Sequence, residues 1–69
     1  MTWYDIDEIA ESLHSYKPDM DPLTVRFTDL RDWIAALPGW EDDIHHANES
    51  KLEAVQMGWY ELWKDEHGG

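Results

Sequence analysis

Carboxylates dominate the residues able to do chemistry in this 69-residue chain, and several recur at the three-residue spacing that puts side chains on one helix face. Asp5 with Glu8, Glu8 with Glu11, and Asp29 with Asp32 are such pairs, each able to offer two hard oxygens to one cation. Glu41-Asp42-Asp43 adds a three-carboxylate run, with His45 and His46 close behind it as imidazole donors. The same patterns also suit an ordinary acidic helix and a polar connector, as solvated side chains or first-turn dipole partners. Like charges at this spacing destabilise a helix by only about 0.2–0.5 kcal/mol per pair, so the pairs are tolerable without a ligand. His45 and His46 are adjacent, unlike the i, i+4 histidines of a recognised helical metal motif. His14 and His67 read as surface residues.

Other chemistries are excluded. The chain has no cysteine, hence no disulfide, no thiolate metal site and no sulfur nucleophile. Ser12, Ser15 and Ser50 stand in no base-and-orienter pattern, and no glycine-rich phosphate loop is present, so an enzyme is not expected. A ferroxidase or iron store fails for lack of paired Glu-x-x-His helices. Sixteen Asp and Glu against five Lys and Arg give a net charge of −11, which disfavours nucleic acid and anionic membranes as direct partners. Such a field attracts a basic protein surface or a hard cation. The longest apolar stretch, Trp33 to Pro38, is far too short to span a membrane, and no signal-peptide pattern opens the chain; a cytoplasmic, soluble protein is expected.

The elements that position these carboxylates follow from periodicity. Asp5 and Glu8 have the spacing of a capping box for a first helix bearing Ile6, Ile9, Ala10, Leu13 and Tyr16, which ends before Lys17-Pro18. Pro18 to Phe27 is a connector, with Val25-Arg26-Phe27 as a possible short extended piece. Thr28 offers the next cap, for a helix carrying Leu30, Trp33, Ile34 and Leu37 and stopped by Pro38-Gly39. After the polar loop from Glu41 to His46, Asn48 caps the longest helix, bearing Leu52, Val55, Trp59, Leu62 and Trp63. Lys64-Asp65-Glu66 and Gly68-Gly69 are expected to fray. The prediction is one all-α, three-helix domain over residues 1–69, without repeats or linkers. Trp33 and Trp59 are expected in the core with each indole N–H on a carbonyl, and one of Trp3, Trp40 and Trp63 as an exposed interface anchor. Arg26, isolated among acids, is expected in an internal ion pair or carbonyl cap.

The run Pro18-Asp19-Met20-Asp21-Pro22-Leu23-Thr24-Val25-Arg26-Phe27-Thr28-Asp29-Leu30, flanked by Trp3, Asp5, Glu8, Trp33, Asp42, Asp43, Asn48, Glu49 and Trp59, resembles the IscX family of small acidic proteins of iron–sulfur cluster assembly. Coverage is nearly continuous from Trp3 to Trp59. Pro38-Gly39, Gln56, Gly58, His45-His46 and the aromatic tail Trp59-Tyr60-Leu62-Trp63 depart from the family pattern. The resemblance implies a modified winged-helix-like helical fold and docking on the cysteine desulfurase IscS in competition with acidic partners such as ferredoxin and frataxin. It also implies weak, transient binding of Fe²⁺ or Fe³⁺. On that basis the iron ligands are sought among Asp5, Glu8, Asp29, Asp42, Asp43 and Glu49. The partner-binding face is sought among Asp5, Glu8, Glu11, Asp29, Asp32, Glu41, Asp42 and Asp43, on a protein expected to be monomeric. The alternative is an acidic DNA mimic that inhibits a nucleic-acid-binding protein, which requires carboxylates spaced along one face like duplex phosphates.

Overall fold

Apolar residues at spacings of three and four give three amphipathic helices, each with one face too apolar to leave in water. In the computed structural model, which describes residues 1–68, these are α1 (Ile6–Tyr16), α2 (Phe27–Ala35) and α3 (Glu49–Glu66). Single 3-10 turns at Pro22–Thr24 and Ile44–His46 lie in the two connections. Among the described residues there is no strand and so no β wing; Val25 and Arg26 are extended, but Phe27 already opens α2. The all-α, three-helix architecture is as expected.

One core joins the elements. Ile9, Ala10 and Leu13 of α1, Leu30 and Ile34 of α2, and Leu52, Val55 and Trp59 of α3 are buried together, with Trp3, Val25 and Leu37 closing the ends. No polar or charged residue is buried among the described residues, so the charge of −11 is carried at the surface. The α1–α3 pair is the main packing, and Gly58 explains how close it is. A Cβ at Gly58 would stand 3.3 Å from the Cβ of Ala10, so a residue that weakens the helix intrinsically brings two backbones together. Gln56, the other interruption of the apolar stretch, reaches off α3: its Nε2 donates to the Pro22 carbonyl at 2.9 Å and holds the connector against the helix.

Several local expectations are corrected. Asp5 is the N-cap residue of α1, but its side chain makes no capping bond, because Oδ2 instead accepts from the Thr2 backbone N–H at 2.9 Å. α2 begins at Phe27 rather than after Thr28, with exposed Arg26 as N-cap; Arg26 forms neither a side-chain cap nor an ion pair among the described residues. Asn48 does cap α3, accepting from Lys51 N–H at 2.8 Å. Lys64-Asp65-Glu66 remains helical because Glu66 pairs with His14 of α1 and His67 donates from Nδ1 to the Trp63 carbonyl at 2.9 Å. His14 is half-buried by that pairing, not a free surface residue. Gly69 lies outside the described residues.

The tryptophans are also redistributed. Trp59 is fully buried as expected, yet its Nε1 has no partner among the described residues, and Trp33 is only half-buried, edge-on to Trp59 with ring centroids 6.4 Å apart. The indole that does reach a carbonyl is Trp3, whose Nε1 donates to Asp43 O at 3.0 Å. None of the five tryptophans is an exposed anchor: Trp40 packs edge-on against Trp3, and Trp63 stacks between Tyr60 and His67. The exposed aromatics are Tyr4 and Tyr16.

Candidate functional site

Most of the candidate carboxylates fall into three groups, set by the elements that carry them. On α1, Glu8 and Glu11 are exposed one turn apart, and with Ser12, Ser15 and Tyr16 they line one wall of an open groove whose other wall is Leu37 and Pro38. Glu11 also borders a second groove, between α1 and α3, with Asp7 and Glu61 on its rim. On α2, Asp29 and Asp32 are exposed on successive turns. The third group, residues 41–43, is drawn to the N-terminal edge of the fold, where Glu41 N–H donates to Met1 O at 2.9 Å and its side chain lies 3.5 Å from the Met1 amino group.

Asp42 organises that edge. Its Oδ2 accepts from Trp3 N–H at 3.2 Å, and its Oδ1 accepts from Asp43 N–H at 2.7 Å and pairs with His46 Nδ1 at 2.8 Å. Asp43 contributes its carbonyl to Trp3 and its Oδ1 to His45 N–H at 2.9 Å, while Asp5 holds Thr2 from the other side. The run thus forms a clasp on the first residues of the chain. The hydrogen bond with His46, then that from Trp3 N–H, hold the Asp42 carboxyl below the ordinary carboxylate range, against a smaller opposing effect of burial.

A lowered folded-state value makes Asp42 stabilising above the unfolded-state value of about 3.9, and that contribution is lost as pH falls through the folded value. Asp42→Asn is therefore expected to lower stability near neutrality and to flatten the acid limb of the stability–pH curve below about pH 4. Chemical denaturation at stepped pH checks this; an acid limb as steep as that of the unsubstituted protein would show that other carboxylates govern it.

As metal ligands the predicted residues are not gathered. Among the described residues no three of His, Asp and Glu converge on one point; Asp5 Oδ2 and Asp42 Oδ2 are engaged by the N-terminal turn, and Asp42 Oδ1 by Asp43 and His46. Glu8, Asp29 and Glu49 are exposed on three different helices. What the chain presents to a hard cation is pairs of carboxylates whose coordination water must complete. The clasp itself, with Trp3 and His46 as members, went unforeseen: its partners are some forty residues apart, and only the nearness of Asp42, Asp43 and His46 in sequence hinted at it.

Fold and surface together define a small three-helix protein with an uncharged core and an acidic exterior. The chain belongs to the family described as iron–sulphur cluster assembly, the IscX family, whose model matches residues 1–64, and its role lies in that process. An uncharacterized protein of Pseudomonas aeruginosa is 44% identical over 61 residues, covering 88% of this chain and 92% of that protein. The connector that carried the resemblance is braced as well. Asp21 Oδ1 accepts from Leu23 N–H at 3.0 Å, Thr24 Oγ1 donates to Asp21 O at 2.7 Å, and Pro22 is buried under Gln56. No helix of the described residues is long and apolar enough to cross a membrane.

Proposed function

We propose that the chain is a non-catalytic cytoplasmic adaptor that docks through its acidic surface on the basic surface of the cysteine desulfurase IscS and carries iron weakly as cargo. The observation that carries this reading is the combination of family membership with a net charge of −11 expressed wholly at the surface. In such a field, acidic partners such as ferredoxin and frataxin compete for the same basic surface. Iron held by the carboxylates cancels part of the charge that drives docking, and so links iron supply to occupancy of the desulfurase. The absence of cysteine supports a regulator rather than a sulfur carrier.

Two measurements test this. The chain, immobilised and exposed to cell extract, is expected to retain the desulfurase; retention of other basic proteins without it would sink the docking role. Titration with Fe²⁺ under anaerobic conditions is expected to give dissociation constants on the order of 10⁻⁵–10⁻³ M, as for loosely built oxygen sites, with competition from Ca²⁺. Amide signals around Asp5 and Glu8, around Asp29, and from Glu41 to Glu49 should broaden, while Trp59 to Lys64 stay sharp. Broadening confined to His45 and His46, and abolished when both become Ala, would replace the carboxylate reading with an imidazole one.

A further inference from the structure

The groove along α1 is more than an acidic surface, because it adjoins a largely apolar slot with Lys17 at its edge. Glu8, Glu11, Ser12, Ser15 and Tyr16 lie at i, i+3, i+4, i+7 and i+8, a single stripe of α1 on which all but the half-buried Ser12 are exposed. At its C-terminal end the stripe meets a slot of about 210 Å³ between α1 and the end of α2, walled by Leu13, Tyr16, Lys17, Trp33, Ala36 and Leu37. Tyr16 and Leu37 line both, so trough and slot adjoin, and the two together make up the channel. At that volume, above the roughly 150 Å³ of a cavity that admits a benzene ring, the slot has room for one aromatic or branched aliphatic side chain. Tyr16 keeps 68% of its surface exposed there.

Charge gives the channel a direction. Glu8 and Glu11 stand at one end, and Lys17 stands at the other, its Nζ 4.5 Å from the Trp33 ring centroid and 5.5 Å from that of Tyr16. A cationic side chain is drawn to the glutamates and repelled by Lys17, while an apolar side chain is drawn to the aromatic end. From Glu8 to Tyr16 the helix rises about 12 Å, a distance an extended chain covers in about four residues.

We infer that this channel is where the basic partner makes specific contact, taking a protein segment with a Lys or Arg at the Glu8–Glu11 end and an apolar side chain, three or four residues away, in the slot. This rests on the proposed docking on the desulfurase and adds to it a short-range, salt-insensitive component. Diffuse acidity attracts any basic surface, whereas an apolar anchor beside a pair of carboxylates discriminates among them.

The test uses the full chain and purified cysteine desulfurase, with affinity measured calorimetrically at low and high salt. Tyr16→Ser and Ala36→Gln change two exposed slot residues without altering net charge, and each is expected to weaken binding roughly tenfold at both salt concentrations, with melting temperature unchanged. The double variant Glu8→Gln/Glu11→Gln is expected to weaken binding chiefly at low salt. Leu23→Ser, an exposed apolar residue outside the channel, is expected to bind as the unsubstituted chain does. Tyr16→Ser and Ala36→Gln binding with full affinity would overturn the channel and leave desulfurase docking intact. An unsubstituted chain that does not bind the desulfurase at all would remove both.

Discussion

Trp59→Ala is expected to abolish the cooperative melting transition. Trp59 is fully buried at the centre of α3, in the one core that all three helices share. Truncating a buried Trp removes its transfer free energy and leaves a cavity the surrounding helices close only partly, a cost of about 3–5 kcal/mol. A single core in a chain this short supplies about the same amount, so the variant should populate the unfolded state at room temperature. The indole N–H has no partner among the described residues, so the loss is chiefly one of packing. Trp59→Phe should accordingly be milder than Trp59→Ala, and so should Trp33→Ala, at a half-buried position. Scanning calorimetry decides it: a Trp59→Ala variant with the original melting temperature would remove Trp59 from the energetic centre of the fold.

Affinity for the desulfurase is expected to fall steeply between low and high salt, by tenfold or more in association rate, on the order seen when electrostatic steering is screened. At physiological ionic strength the Debye length is about 8 Å, so long-range attraction is screened before close contacts are. Reversing Glu8 and Asp29 to Lys, both exposed and neither engaged in the N-terminal clasp, should slow association more than the same change at exposed Glu53 and Asp65. Glu66 is an unsuitable control, because its pairing with His14 holds the end of α3 to α1. Equal effects at the two pairs would mean that net charge alone recruits the partner, and an association rate indifferent to salt would mean that acidity plays no part in encounter.

The sequence carried the helices more fully than their ends. The stripes Ile9-Leu13, Leu30-Ile34 and Leu52-Val55-Trp59 are periodic, and periodicity survives into burial because a helix has only one way to hide such a stripe. End positions depend on competition for a few polar atoms. Asp5 had the right spacing to cap α1, but its carboxylate is turned to Thr2 instead, a contact that periodicity does not encode. Trp3 could not be placed because it precedes the first helix and is held by residues 42 and 43. Gln56 and Gly58 read as interruptions of α3 because their value lies on other elements, the Pro22 carbonyl and Ala10. Of the acidic site, the type of residue and the one-turn spacing were legible; whether oxygens are free or engaged was not, since that depends on backbone donors brought from across the chain.

The clasp between residues 2–5 and 41–43 closes a loop of about forty residues in a protein without cysteine. A disulfide in that place would act on the unfolded chain, removing about 4 kcal/mol of loop-closure entropy by the chain-entropy account. Hydrogen bonds to Asp42 and Asp43 leave the unfolded chain unconstrained, so the same closure must be offset each time the native state forms. The buried indole of Trp3 supplies most of that offset, because the apolar surface it removes from water is large and the net worth of each hydrogen bond is only about 1 kcal/mol. Such a closure is indifferent to thiol reductants, and protonation of a single carboxylate, that of Asp42, loosens it.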